Sequence, residues 1–139
     1  MPSLIDLNKA ANVKPPEAQT EGEYKLQLTS CVLQDSKKGN PMLVLGFEII
    51  DAESDELTLP AFHYLNLAHE EMAPKEQKRR LLEAGEFSNA FGIELSALWD
   101  CTQSEDFSSI IGSEGWAHIR PGEYEGRPKN IIKRFVVSA

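Results

Sequence analysis

The sequence predicts a mainly β domain with one or two short helices, folded as a five-stranded barrel. Three observations carry that expectation. Three strand-like segments follow one another from Tyr24, a helix-forming run opens on Pro74, and strand-like alternation returns from Trp116 to Val137. A chain of 139 residues, 41% hydrophobic and 26% charged, can bury one core and is too apolar to stay disordered, so a single domain is expected.

Residues 1–20 show little periodicity and contain Pro15-Pro16, so they read as an extended N-terminal arm, with residues 21–139 forming the domain. Tyr24, Leu26 and Leu28 alternate with Lys25, Gln27 and Thr29, the signature of a half-buried first strand reaching about Leu33. Asp35-Ser-Lys-Lys-Gly-Asn-Pro41 is a turn by its chemistry: Gly39 and Asn40 tolerate positive φ, and Pro41 has no N–H for a ladder. The apolar run MLVLGFEII over residues 42–50 predicts a second strand covered on both faces, with a bulge or bend at Gly46. An acidic turn over residues 51–56 leads to a third strand over residues 57–67, where Pro60 requires an edge or a bulge.

Pro74 and the helix formers after it predict a helix over residues 74–84 and a second short one to Phe91. Residues 95–111 read as a turn-rich connection with a short helix near 105–110. A fourth strand is expected over residues 116–120, a loop over 121–128 from its Gly and Pro content, and a fifth strand over 130–137. The order, three strands, helix, two strands, is that of the OB barrel. Its oligonucleotide face is built from strands two and three with the loops joining strands 1–2 and 4–5.

Net charge is −8, which opposes phosphate binding when taken as a sum. The distribution is uneven. No Lys or Arg occurs between Gly39 and Pro74 or from Leu81 to Ile119, and each stretch holds seven acids. The cations are confined to the arm, Lys25, Lys37-Lys38, the segment from Lys75 to Arg80, and the end of the chain after Ile119. Such segregation permits a local basic face on an acidic protein.

On the barrel reading, Lys37 and Lys38 occupy the loop between strands one and two, and Tyr124, Arg127 and Lys129 the loop between four and five. Cations for phosphate beside a flat ring for base stacking are what single-strand binders combine. Phe62 and Tyr64 share one parity in strand three; Trp116, His118 and Arg120 share one in strand four, opposite the core pair Ala117 and Ile119. In the last strand Ile131, Phe135 and Val137 share a parity with Lys133, which assigns Arg134 to the outer face. Lys25 on strand one completes the candidate set. Phe47 and Phe135 are assigned to the core, and Lys78-Arg79-Arg80 to the wet face of a helix.

Other chemistries find little footing. His63, His69, His118, Cys31 and Cys101 lack short ligand spacing, so no metal and no disulfide are expected. Glu48, Asp51, Glu53 and Asp55 do not follow the order of a calcium loop. Phosphate-loop and nucleophile-elbow motifs are absent, so neither catalysis nor a cofactor is expected. No apolar run is long enough for a membrane helix and the first residues lack a signal-peptide core, which points to the cytoplasm.

Three segments then gain meaning together: Glu21-Gly-Glu-Tyr-Lys25, Lys38-Gly-Asn-Pro-Met-Leu-Val-Leu-Gly-Phe-Glu48, and Glu123-Tyr-Glu-Gly-Arg-Pro-Lys-Asn130-Ile. Over residues 20–137 the chain resembles a family of bacteriophage single-stranded DNA-binding proteins. These open with a Gly-x-Tyr strand, pass a Lys-x-Gly turn into an apolar strand, and close with a Tyr-x-Gly…Asn hairpin. The resemblance implies an OB fold that coats single-stranded DNA during phage replication or recombination, without sequence preference, in the cytoplasm of the infected bacterium. Phage or host replication and recombination proteins are the implied partners, and pairing between copies is conceivable at the edge near Pro60. The chain departs from such proteins in ending Phe135-Val-Val-Ser-Ala139, without an acidic tail to recruit partners. The competing expectations are an acidic protein-interaction or virion-assembly module, and an accessory subunit that meets DNA only within a complex.

Overall fold

The computed structural model describes residues 1–50 and 56–137. Five strands, β1 (Gly22–Asp35), β2 (Pro41–Ile49), β3 (Ala61–Asn66), β4 (Glu114–Tyr124) and β5 (Arg127–Val136), close into a barrel in the order β1-β2-β3-β5-β4. All pairs are antiparallel except β3 with β5. Helices α1 (Pro74–Phe91) and α2 (Leu95–Ser104) fall between β3 and β4 in the chain, which completes the OB order.

A strand of 14 residues lets β1 serve two partners, pairing with β4 through residues 22–27 and with β2 through residues 26–35. It curls at an extra residue, Thr29, between the pairs Leu28↔Phe47 and Ser30↔Gly46, and the Thr29 hydroxyl donates to the Gly46 carbonyl at 3.1 Å. The bulge predicted at Gly46 therefore sits on the opposing strand. Gly46 serves a close approach instead: a Cβ there would meet the Ser30 hydroxyl and come within 3.2 Å of the Phe62 ring. Only the inner side of β2 is fully covered, by Leu43, Leu45, Phe47 and Ile49; Met42 and Val44 stay half-buried outside.

A second bulge corrects the parity of β5. Pairing passes from His118↔Arg134 to Ile119↔Ile132, so Lys133 is the extra residue. Ile132 and Phe135 both enter the core, Ile131 faces outward, and Lys133 and Arg134 are both exposed.

One end of the barrel is filled by rings. Phe87 and Phe91 of α1 meet Phe47 and Phe135, with centroid separations from 5.2 to 6.4 Å. Phe47 and Phe87 are wholly buried, and such burial stabilises by about 1.5–3 kcal/mol per side chain. The helix runs unbroken to Phe91, where two helices were predicted, because Ala84, Phe87, Ser88 and Phe91 hold one face on the barrel across Gly85. Gly92, at φ 63°, ends it. The next helix lies upstream of the expected 105–110: Leu98 and Cys101 anchor α2, Glu105 at φ 56° stops it, and residues 105–112 are turn-rich. β3 starts after Pro60 and ends at Asn66, shorter than the predicted 57–67, and Pro60 has no N–H to extend the ladder.

The arm is not wholly extended, since Leu7–Asn12 forms an exposed 3-10 helix capped by Asp6. Its base is tied down. The Gln19 amide donates to Asn130 Oδ1 at 2.8 Å, and the Tyr24 hydroxyl donates to the Thr20 carbonyl at 2.8 Å. The expected acidic turn lies, apart from Glu56, outside the described residues. Among the described residues no helix is long and apolar enough to cross a membrane.

Candidate nucleic-acid interface

Outward positions on neighbouring strands form continuous rows across the barrel wall. Val32, Val44 and Tyr64 are paired in one row, and Ser30, Gly46, Phe62, Ile131 and Arg120 in the next. Phe62 is 55% exposed and Tyr64 57%, so both rings stand on the surface of β3. Gly46 makes this possible for Phe62, whose ring leans across the bare backbone of β2.

Beyond Arg120 the band continues onto a hairpin. The loop predicted over residues 121–128 is instead a two-stranded ribbon. β4 runs to Tyr124, Glu125 and Gly126 make the turn at φ 52° and 77°, and β5 departs at Arg127. Two consecutive positive φ values are what a tight two-residue hairpin turn requires, and their twist matches that of the strands. Tyr124 faces Arg127 across the turn and is 65% exposed, with Lys129 Nζ at 5.6 Å from its ring centroid. Gly122 leaves room for Ile131, which lies against its backbone.

At the other end of the band stands the β1–β2 turn. Ser36 organises it: the Ser36 amide donates to the Asn40 carbonyl at 2.7 Å, and the Gly39 amide donates to the Ser36 carbonyl at 2.8 Å. Asn40 Oδ1 in turn lies 2.9 Å from His69 Nε2. The fixed turn holds Lys37 and Lys38 in solvent, and neither forms an ion pair among the described residues.

Of the sequence-predicted residues, Phe62, Tyr64, Arg120, Tyr124, Arg127 and Lys129 thus share one outer band, with Lys37 and Lys38 at its end. Lys25, Trp116, His118 and Arg134 do not join it. Lys25 pairs with Glu114 at 3.3 Å, and Glu21 lies 3.2 Å from His118 Nε2 and 3.8 Å from Lys133 Nζ. The hydrogen bond from His118 and then the charge of Lys133 hold the Glu21 carboxyl below its usual range. Trp116 is half-buried opposite Lys25 and Val136, and Arg134 is opposite His118. Sequence reasoning missed Ile131, Val44 and Val32 as the apolar floor of the band. Counting by twos from Arg127 through Lys129 would have found Ile131.

Other polar groups near the core are engaged in the fold. His63 Nε2 lies 3.0 Å from Glu83 Oε1 beneath α1. Buried Asn130 binds both Gln19 and the Leu59 carbonyl. Burial, with Cys101 nearby, pushes the Cys31 thiol up to about 12, so it stays protonated at neutral pH. Among the described residues no three His, Cys, Asp or Glu side chains are grouped to hold a metal. A cavity of about 660 Å³ is walled by arm residues 12–20 with Glu56 and Leu57, and none of the band residues lines it.

Residues 7–111 match a family described as protein of unknown function (DUF669), and no curated protein matches the chain. The matched residues include β1 to α2, hence Lys37, Lys38, Phe62 and Tyr64, and stop before the β4–β5 hairpin. The chain belongs to that family.

Proposed function

We propose that this DUF669 protein binds single-stranded DNA without sequence preference, along the band from the β1–β2 turn to the tip of the β4–β5 hairpin. The observation that carries this reading is the pair Phe62 and Tyr64, two rings each more than half exposed on adjacent outward positions of β3. Rings left in solvent beside Arg120 and Lys129 offer stacking platforms next to phosphate contacts, the two elements that sequence-tolerant single-strand binding uses. Tyr124 supplies a third ring, with Arg127, Lys37 and Lys38 as further phosphate partners. Binding through these cations makes the affinity fall with salt. The setting in phage DNA replication or recombination, with replication or recombination proteins as partners, rests on the resemblance of the Gly-x-Tyr, Lys-x-Gly and Tyr-x-Gly…Asn segments.

The net charge of −8 favours a second reading, an acidic module that docks another protein without touching DNA. Fluorescence anisotropy with labelled oligo-dT at two salt concentrations separates the two, with duplex DNA and oligo-U as controls. The first reading expects salt-sensitive binding to the single strand and weak binding to duplex. It also expects a log–log salt slope reduced by about 0.7 for each of Arg127→Ala and Lys129→Ala. No binding at low salt overturns it in favour of the docking module.

A further inference from the structure

Two helical surfaces take no part in the band or the core, and their chemistry is complementary. On α1, Lys75, Lys78, Arg79 and Leu82 follow one another at i, i+3, i+4 and i+7, and all four are exposed. Lys75 and Lys78 have no ion pair among the described residues, and Arg79 has only a 3.4 Å contact to Glu76. On α2, Leu95 and Trp99 stand one turn apart, 59% and 64% exposed, and exposed Glu94 and Asp100 flank them. From Leu81 to Ile119 the chain has seven acids and neither Lys nor Arg, so nothing basic close in sequence neutralises this face.

We propose that these surfaces are the two halves of a head-to-tail contact between copies of this chain, the Lys75–Lys78–Arg79–Leu82 stripe of one docking on the Leu95–Trp99 face of the next. One half is a run of three cations leading to Leu82, the other an apolar pair between Glu94 and Asp100, so the charges beside the two apolar anchors are opposite. Docking places guanidinium and ammonium groups over an indole face, a favourable contact that strengthens as water leaves. In the head-to-tail arrangement each copy engages one neighbour through its stripe and another through its tryptophan face, which is a heterologous contact. Every copy added leaves one stripe and one tryptophan face free, so assembly extends as a row. Two helix stripes make a contact at the small end of interface sizes, so association is weak and salt-sensitive.

Sedimentation velocity of the full chain without DNA, over a wide concentration range at low and high salt, tests this independently of nucleic-acid binding. The expected result is concentration-dependent association that high salt reverses. Trp99→Ala, and separately Lys78→Glu with Arg79→Glu, weaken it by about tenfold or more, the scale of a central anchor. Both variants alter exposed side chains and keep the buried anchors Leu98, Cys101, Phe87 and Phe91. Mixing them is the sharper test, since each retains the half the other lacks: a 1:1 complex that grows no further is expected. A wild-type chain that stays monomeric at all concentrations overturns the proposal, as does a mixture that forms no complex. It is also overturned if the Lys78→Glu, Arg79→Glu variant still self-associates while losing oligo-dT affinity, which would make the stripe a DNA contact.

Discussion

The barrel wall carries two clusters of aromatic and basic side chains, and their residue types barely differ. In one, Trp116, His118, Lys25 and Lys133 sit among Glu21 and Glu114, and three of the four are held within 3.8 Å of a carboxylate. In the other, Phe62, Tyr64 and Tyr124 stand in solvent, Arg127 and Lys129 form no ion pair among the described residues, and Arg120 acts on Glu21 only from beyond ion-pair distance. A cation or an aromatic ring does not by itself mark a ligand surface. What separates the clusters is whether the fold has already supplied a partner, because an exposed pair gains little from its contact yet occupies the group a phosphate would need.

That contrast can be broken most directly at the rings. Phe62→Ala and Tyr64→Ala should each cost about 1–3 kcal/mol of single-strand affinity with the thermal midpoint nearly unchanged, whereas Lys25→Ala and His118→Ala should stay within about 0.5 kcal/mol. Equal losses in both clusters, read by the same oligo-dT titration, would erase the distinction. Next in size is Asn130→Ala, which leaves the Gln19 amide and the Leu59 carbonyl without partners beneath the band. It should lower stability by about 1–3 kcal/mol and raise hydrogen exchange at Gln19, measured by denaturant titration and mass spectrometry. Retained protection there would show that the arm is held by other contacts.

The smallest effect belongs to the paired cluster. The carboxyl of Glu21 has a folded-state pKa below the ordinary value of 4.5. Its contribution to stability is therefore complete above pH 4.5 and is lost as pH falls through the folded pKa. Glu21→Gln should flatten that acid limb in a series of urea titrations and leave oligo-dT affinity unchanged. A steeper acid limb in the variant would reverse the assigned sign.

Much of the fold was legible because alternation reports burial directly. Leu26 with Leu28, and Ala117 with Ile119, point inward as their parity requires, whereas β2, an apolar run expected to be covered on both faces, keeps Met42 and Val44 half-buried outside. The parity argument failed where a bulge changed the count, as at Lys133, which exchanged Ile131 for Ile132 in the core. It also failed where composition misled: Pro121, Gly122, Gly126 and Pro128 read as a loop, yet a projecting ribbon tolerates proline because its outer edges need no ladder partner. The helix after Ile93 was missed because Glu94 gives it no side-chain cap, so its start carries no capping signal.

Sequence alone determined the order of the barrel strands, the inward faces of β1 and β4, the confinement of positive charge to a few segments, and the turn that presents Lys37 and Lys38. These follow from local rules, since period, turn chemistry and charge are properties of neighbours in the chain. Tertiary structure alone decided which outward side chains become neighbours. The parallel pairing of β3 with β5 sets Phe62 beside Ile131, and β1 meeting β4 sets Lys25 within reach of Glu114. Closing a barrel fixes register between strands distant in sequence, and register assigns one cation a carboxylate and leaves another open to solvent.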